Sequence, residues 1–372
     1  MKTIVNLVSE QTTPNYLFIK DMVNLGDELL FISSEKFKER INWIINALGY
    51  KNCVINQIVL PDGVEEKWYQ MIALIKRELV QGKKYVVNLT CGTKYMISAV
   101  PKAFDGFDAE FYYIPFPKNV ILKVGDENSK DISNRITVKE YFECNNTVIP
   151  KQKGLTKSEE YTKSLFQLFV NGKLRFDIIE KIRIGYREKQ IVIKEIEDKE
   201  HTEKKPQING LFNFLNAIAF PFEKEGLLTK DETVYLTGGW FEEYVFSLIM
   251  EKIQPQDIAL GVGLPITDLR TVTNRDLDVV FTYENKLFVI ECKTGIDREY
   301  IFSETVYKAA ALKNERLGKL SANTFIFALS GENENFKEIA KALNISYYDK
   351  SFFVNPAKWD ELVKQINKKA KG

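Results

Sequence analysis

Residues 274–293 read Asn274-Arg275-Asp276-Leu277-Asp278-Val279-Val280-Phe281-Thr282-Tyr283-Glu284-Asn285-Lys286-Leu287-Phe288-Val289-Ile290-Glu291-Cys292-Lys293. Two runs rich in β-branched and aromatic residues flank one polar pair, which predicts a β-hairpin turning at Glu284-Asn285. Placing Tyr283 opposite Lys286 sets the register, with Asp278 opposite Glu291 and Asp276 opposite Lys293. Side chains two apart on a strand share a face. Asp276, Asp278, Glu291 and Lys293 are therefore expected on one side of the sheet, with opposed Cβ atoms roughly 5 Å apart.

Two carboxylates at that spacing repel unless a cation lies between them. Mg²⁺ or Mn²⁺ fits, because hard divalent ions take oxygen ligands and keep several waters. Asp278 and Glu291 are the expected side-chain ligands, with the backbone carbonyl of Cys292 as a further oxygen. Such a metal polarises a phosphate and supplies an activated water. Lys293 would orient that water or offset charge developing on the phosphate. An E-x-K pair alone also describes an ordinary exposed strand face. The opposed Asp and the apolar run Leu287–Ile290 leading into Glu291 favour a site.

The composition narrows the chemistry further. Lys and Arg (52) nearly cancel Asp and Glu (51) in 372 residues, so nucleic acid would have to be held by local patches rather than by net charge. The one histidine, His201, sits in a charged run, Glu197–Lys205, expected to be a loop. Ser-His-Asp triads and histidine metal clusters are thereby excluded, leaving carboxylates, lysine and metal. Cys53, Cys91, Cys144 and Cys292 show no C-x-x-C spacing and fit reduced thiols in a cytoplasm. No signal peptide and no apolar run of membrane-spanning length is evident, so no membrane partner is expected.

Outward from the hairpin, residues 1–145 alternate strand and helix. Strands are expected at Lys2–Val8, Leu29–Ile32, Val54–Leu60, Tyr85–Leu89 and Glu110–Ile114, with helices after the second, third and fourth. This pattern predicts a parallel sheet of Rossmann type, whose ligands bind beyond the carboxyl ends of the strands. Two polar loops fall there: Ser9–Asn15 and Thr90-Cys91-Gly92-Thr93-Lys94. The second opens a helix, and its free N–H groups, hydroxyl and ammonium suit an anionic ligand. Neither P-loop nor G-x-G-x-x-G spacing is present. Residues 119–145 are read as a hairpin-like extension about the turn 125–128.

Residues 146–235 form a connecting module, with a helix over Ser158–Val170, a strand-like charged stretch over Arg183–Ile196 and a helix over Gly210–Ala219. It reads either as a spacer or as a small winged-helix-like binding unit. Residues 236–372 then bring a helix over Trp240–Lys252, the hairpin, a helix around Tyr307–Leu317, and further strand and helix. The overall class is α/β.

Asp278, Glu291 and Lys293 resemble the D…E-x-K core of the PD-(D/E)xK nuclease superfamily, although Leu277 stands where a proline is usual. The superfamily often takes another acidic residue from the preceding helix. Here Glu242 borders the apolar face of that helix and Glu243 points away, so the resemblance favours Glu242. Lys308 and Lys313 are possible phosphate contacts or simply a solvated helix face. The two N-terminal loops together resemble those of CARF domains (CRISPR-associated Rossmann fold), which sense cyclic oligoadenylates. Ser9, Gln11, Thr12, Asn15, Gly92, Thr93 and Lys94 occupy the corresponding positions, with Ser33 and Ser34 beside them.

The whole order resembles the cyclic-oligoadenylate-activated ancillary nucleases of type III CRISPR systems: a CARF sensor, a connecting module and a C-terminal restriction-endonuclease-like α/β domain. That resemblance implies a cytoplasmic homodimer, activated by one ring such as cyclic tetra-adenylate on its two-fold axis. It also implies cleavage of single-stranded RNA or DNA. Two rival expectations are a CARF-linked nucleic-acid-binding regulator without cleavage, and a ligand-independent DNA nuclease.

Overall fold

The structure, a computed structural model, describes residues 1–49, 53–116, 118–149, 152–187, 189–198, 206–264, 275–295, 306, 322–329 and 333–371. His201, Lys308, Lys313 and the side chain of Asp276 lie outside the described residues.

The N-terminal domain runs β1 (Thr3–Val8), α1 (Thr13–Met22), β2 (Glu28–Ser34), α2 (Glu39–Leu48), β3 (Ile55–Leu60), α3 (Trp68–Glu78), β4 (Lys84–Asn88), α4 (Lys94–Ala103) and β5 (Asp108–Tyr113). The sheet order is β3-β2-β1-β4-β5, all parallel. β1 is buried along its whole length, as its apolar run requires. The antiparallel strands β6 (Val120–Lys123) and β7 (Ser129–Asp131) extend the sheet past β5, and α5 (Val138–Glu143) closes the domain. The hairpin expected around 125–128 is therefore present. Helices α1 and α5 were not anticipated. α1 hides in the sequence because its start, Thr12-Thr13-Pro14-Asn15, reads as loop, yet proline is well placed in a first helical turn.

The connecting module holds α6 (Glu159–Val170), α7 (Phe176–Tyr186), β8 (Ile191–Val192), α8 (Ile193–Asp198), α9 (Leu211–Ala217), β9 (Leu227–Leu228) and α10 (Lys230–Val234). The strand-like reading from Arg183 is corrected: Arg183 lies in α7. Ile178, Ile179, Ile182 and Tyr186 are buried at helical spacing and outweigh the short alternation after them.

The C-terminal domain has α11 (Trp240–Lys252), β10 (Asp257–Leu264), β11 (Arg275–Tyr283), β12 (Lys286–Lys293), β13 (Asn323–Ala328), α12 (Glu334–Ala342), β14 (Ser346–Tyr348), α13 (Lys350–Phe353) and α14 (Pro356–Lys371). Its sheet order is β10-β11-β12-β13-β14, antiparallel through β12 and parallel beyond it. The chain is thus α/β throughout, with a Rossmann-like sheet followed by a mixed sheet.

Both faces of the second sheet are covered. One core joins Phe281, Phe288, Ile290 and Phe325 to Phe166 and Ile182 of the connecting module, Trp240 of α11 and Leu362 of α14. Another joins Val280, Leu287 and Val289 to Phe142, Val138 and Tyr16 of the N-terminal domain. The connecting module therefore roofs one face of the sheet.

The β11–β12 hairpin has the expected register, Tyr283↔Lys286 through Val279↔Ile290. Stacked rings of Phe281 and Phe288, 4.8 Å apart, add roughly 0.2–1 kcal/mol to that register. Glu284 and Asn285 both take positive φ (48° and 59°), the type I′ geometry that a two-residue hairpin turn needs. The tip is held by the N-terminal domain. Asn285 is buried; its Oδ1 accepts from Ile136 N (3.0 Å), and its Nδ2 donates to Asn119 Oδ1 (3.0 Å) and the Asn134 carbonyl (3.2 Å). Glu284 accepts from Asn119 Nδ2 (2.7 Å) and pairs with Arg135 (3.3 Å).

Candidate active site and ligand crevice

Beyond Val279↔Ile290 the ladder stops one rung short of the expected Asp278–Glu291 pair. The cause is visible on the other side of β11. The β10–β11 ladder skips the rung between Gly261 and Asp278, and Gly261 has φ +58°. Across this kink each strand changes face: Leu260 and Val279 pack into one core, Val262 and Leu277 into the other. Only glycine fits there. A Cβ would lie 2.4 Å from Lys153 Cδ, whose backbone N donates to the Leu260 carbonyl. Freed from the ladder, the Asp278 carboxylate turns toward β12 and accepts from Cys292 N at 2.7 Å.

Lys293 completes the group. Its Nζ lies 3.4 Å from Asp278 Oδ2, 3.2 Å from Glu291 Oε2 and 3.1 Å from the Cys292 carbonyl. Asp278 and Glu291 are buried and Lys293 is partly exposed. Burial works against the ammonium, but the two carboxylates outweigh it and hold it well above the ordinary lysine value. The Cys292 side chain is buried in the core on the opposite face, as expected, and burial pushes its thiol up.

α11 brings Glu242 to the same place. Burial, then the charge of Asp278, raises its carboxyl to about 8, against the pull of Lys153 and Lys293. Glu243 does not point away from the protein as expected. It is buried, accepting from Thr156 N (2.7 Å) and Lys157 N (3.4 Å), because α11 is covered on that side by the chain entering α6. Glu243 thus serves the fold, and Glu242 faces the group around Asp278.

Among the described residues no three His, Cys, Asp or Glu side chains form a ready metal cage. The donor chemistry nevertheless suits a hard cation. Three oxygens, from Asp278, Glu291 and the Cys292 carbonyl, converge on the single cation Nζ of Lys293. Mg²⁺ or Mn²⁺ needs only one or two carboxylates beside water.

Glu242 gives a pH test. Its raised value means that the metal-free protein keeps this proton to about pH 8. The stability associated with the proton is full below the ordinary 4.5 and is lost as pH rises through about 8. A hard cation bound beside Glu242 would have to displace the proton, so Mn²⁺ affinity is expected to fall about tenfold per pH unit below that value. Calorimetry in buffers of different protonation enthalpy should find close to one proton released. An affinity unchanged between about pH 6 and about pH 8 would remove Glu242 from the site.

In the N-terminal sheet the strand order reverses between β1 and β4, the switch point beyond whose carboxyl ends sheets of this kind take their ligands. Both expected loops lie there, and Ser9 Oγ donates to the Cys91 carbonyl between them. Gly92 passes so close to β1 that a Cβ would meet Leu7 Cδ1 at 2.7 Å. Thr93 caps α4, accepting from Met96 N, and Thr93, Lys94 and Gln11 are exposed.

Thr12 and Asn15 are different. Both are buried and engaged by protein: Thr12 Oγ1 donates to the Cys144 carbonyl (2.6 Å), and Asn15 Nδ2 to the Leu7 carbonyl (2.9 Å). The first turn of α1 carries them inward. Ser33 and Ser34 are also buried.

Sequence reading missed what ties these strand ends together. Asn88 Nδ2 donates to Asn6 Oδ1 (3.2 Å) and Asn15 Oδ1 (2.9 Å), while its Oδ1 accepts from Thr90 Oγ1 (2.6 Å). Ile114 N donates to Thr90 Oγ1 (2.8 Å). One amide network thus ties β1, α1, β4 and the end of β5 together. The only signal was a lone asparagine within each of two apolar strands.

Residues 3–141 match the family described as "Card1 CARF domain", and residues 229–349 the one described as "Card1-like, endonuclease domain". No curated protein matches the sequence. The fold is similar to that of protein VC1899 from Vibrio cholerae, at TM-score 0.72 and 18% identity over 100% of this chain and 99% of that one. It is also similar to Can2 from Sulfobacillus thermosulfidooxidans, solved with cyclic tetra-adenylate, at TM-score 0.73 and 19% identity over 98% and 99%. A type III CRISPR defence DNA nuclease activated by cyclic oligoadenylate gives TM-score 0.55 and 13% identity, over 98% of this chain and 51% of that one. The chain thus carries a Card1 CARF domain followed by a Card1-like endonuclease domain.

Proposed function

We propose that this protein is a nuclease switched on by a cyclic oligoadenylate, cyclic tetra-adenylate first among them, in type III CRISPR antiviral defence. The observation that carries this reading is the convergence of Asp278, Glu291 and Lys293 at one end of a hairpin whose other end is held by the CARF domain. Asp278 and Glu291 hold Mg²⁺ or Mn²⁺ with the Cys292 carbonyl, and Glu242 stands beside them. The bound metal supplies Lewis-acid polarisation of the phosphate and an activated water. Lys293 offsets the charge that develops on the phosphate oxygens. The substrate is single-stranded RNA or DNA, and the working unit is a homodimer.

The ring binds beyond β1 and β4, against Ser9, Gln11, Gly92, Thr93 and Lys94. Thr12 and Asn15 shape that wall from behind. α5 then links the crevice to the nuclease sheet. Thr12 holds the Cys144 carbonyl at one end of it, and Val138 N donates to Asp257 Oδ2 (2.8 Å) of β10 at the other. Ligand binding shifts the sheet only by its differential affinity for the two arrangements.

Chelation tests the metal. Removing divalent ions should abolish cleavage and adding Mn²⁺ should restore it; cleavage that persists in chelator contradicts this reading. One observation favours a second reading. α7, β8, α8, α9 and β9 follow the helix–strand–helix–helix–strand order of a winged-helix unit, with β8 and β9 paired antiparallel. Ligand-dependent duplex binding without any cleavage would support a nucleic-acid-binding regulator instead.

A further inference from the structure

Arg183 projects from α7 of the connecting module into the nuclease domain. Its Nη2 donates to the Thr237 carbonyl (2.9 Å) and to Thr294 Oγ1 (2.7 Å), while Nη1 is held by Glu180 on the same helix. These two acceptors come from different elements. Thr294 directly follows Lys293 at the end of β12. Thr237 stands just before Gly238-Gly239, where the chain enters α11 and reaches Glu242. The guanidinium lies beside the chain after β12: a Cβ on Gly295 would be in ordinary contact with Arg183 Nη1, at 3.5 Å.

We infer that Arg183 is a positioning residue of the nuclease site, clamping the strand that carries Glu291 and Lys293 to the start of the helix that carries Glu242. The inference rests on the function proposed above and adds a role for the connecting module. A planar guanidinium is pre-organised and always charged, so it holds two acceptors at fixed separation with little entropy left to lose. That fork, reinforced by a longer bond from Thr294 Oγ1 to the Thr237 carbonyl (3.5 Å), sets the distance between the β12 end and the α11 start, and a carboxylate site loses rate steeply when its members drift by an ångström. The clamp does not touch the substrate, so its loss appears in turnover rather than in substrate binding.

The test uses full-length protein with saturating Mn²⁺ and cyclic tetra-adenylate, cleaving labelled single-stranded RNA or DNA. Arg183→Gln and Thr294→Val are expected to lower kcat about ten- to a hundredfold with KM within about twofold. Thr294→Ser, which keeps the hydroxyl, restores the rate. The double variant Arg183→Gln/Thr294→Val is no slower than the slower single variant, because both break one clamp. Should Arg183→Gln fail to fold, the Val and Ser variants at Thr294 decide alone. Wild-type kcat in Thr294→Val, equal losses in Val and Ser, or a change confined to KM overturns the inference. Wild-type protein that cleaves nothing overturns the proposed function and this inference together; wild-type cleavage matched by Thr294→Val overturns only the inference.

Discussion

Replacing Asp278 by Asn should slow metal-dependent cleavage about a thousandfold while leaving the fold intact. The side chain does two things. Its Oδ2 accepts the Cys292 N–H, and it faces Lys293 Nζ together with Glu291. An amide oxygen can still accept from Cys292 N, so the strand end keeps its partner and unfolding should move little. The amide cannot supply a negative ligand, and it leaves Glu291 and Glu242 to balance both Lys293 and a metal. Losing one anionic ligand is expected to remove several kcal/mol of transition-state stabilisation, a fall of about a thousandfold in rate. Single-turnover cleavage beside a thermal melt would separate the two effects. Cleavage within about threefold of wild type would exclude Asp278 from the site.

The second large effect is expected at the far end of the same hairpin. Asn285 touches no substrate in this account. Replacing it with Gly preserves the positive φ that the I′ turn needs. The substitution removes one hydrogen bond from Ile136 N and two to Asn119 and Asn134, in a buried place where water cannot replace them all. Each buried polar group left unpaired costs about 1–3 kcal/mol. The hairpin tip then parts from the CARF domain, and activator binding no longer reaches the nuclease sheet through this contact. Activator affinity should stay near wild type while the ratio of cleavage with and without activator falls at least about tenfold. Wild-type stimulation in Asn285→Gly would show that the signal travels elsewhere. Asn285→Ala should be less stable still, because it adds left-handed backbone strain.

Why the hairpin was legible, and its surroundings less so, follows from the range of the forces involved. The register depends on a two-residue turn and on local alternation, so Tyr283, Lys286 and the residues between them define it. The room for only a glycine at the kink is set by Lys153, more than a hundred positions earlier, and no local pattern announces it. The Rossmann strands were readable as apolar runs. The inward turn of Thr12 and Asn15 was not, because a polar stretch before a proline reads as loop until the helix it starts is seen. The apolar face of α11 singled out Glu242, but the burial of Glu243 was not legible, because it comes from the chain entering α6 covering that side of the helix. Arg183 was misplaced because the charged alternation after it masked the helical spacing of Ile178, Ile179 and Ile182, and its role was hidden because its two acceptors lie in a different domain.

The central claim is a nuclease governed by a cyclic oligoadenylate. It is tested most directly by following labelled single-stranded RNA and single-stranded DNA in Mn²⁺, with and without cyclic tetra-adenylate. Cleavage of at least one strand type only when the ring is present is the predicted result. Equal cleavage with and without the ring, or none in either condition, would contradict it.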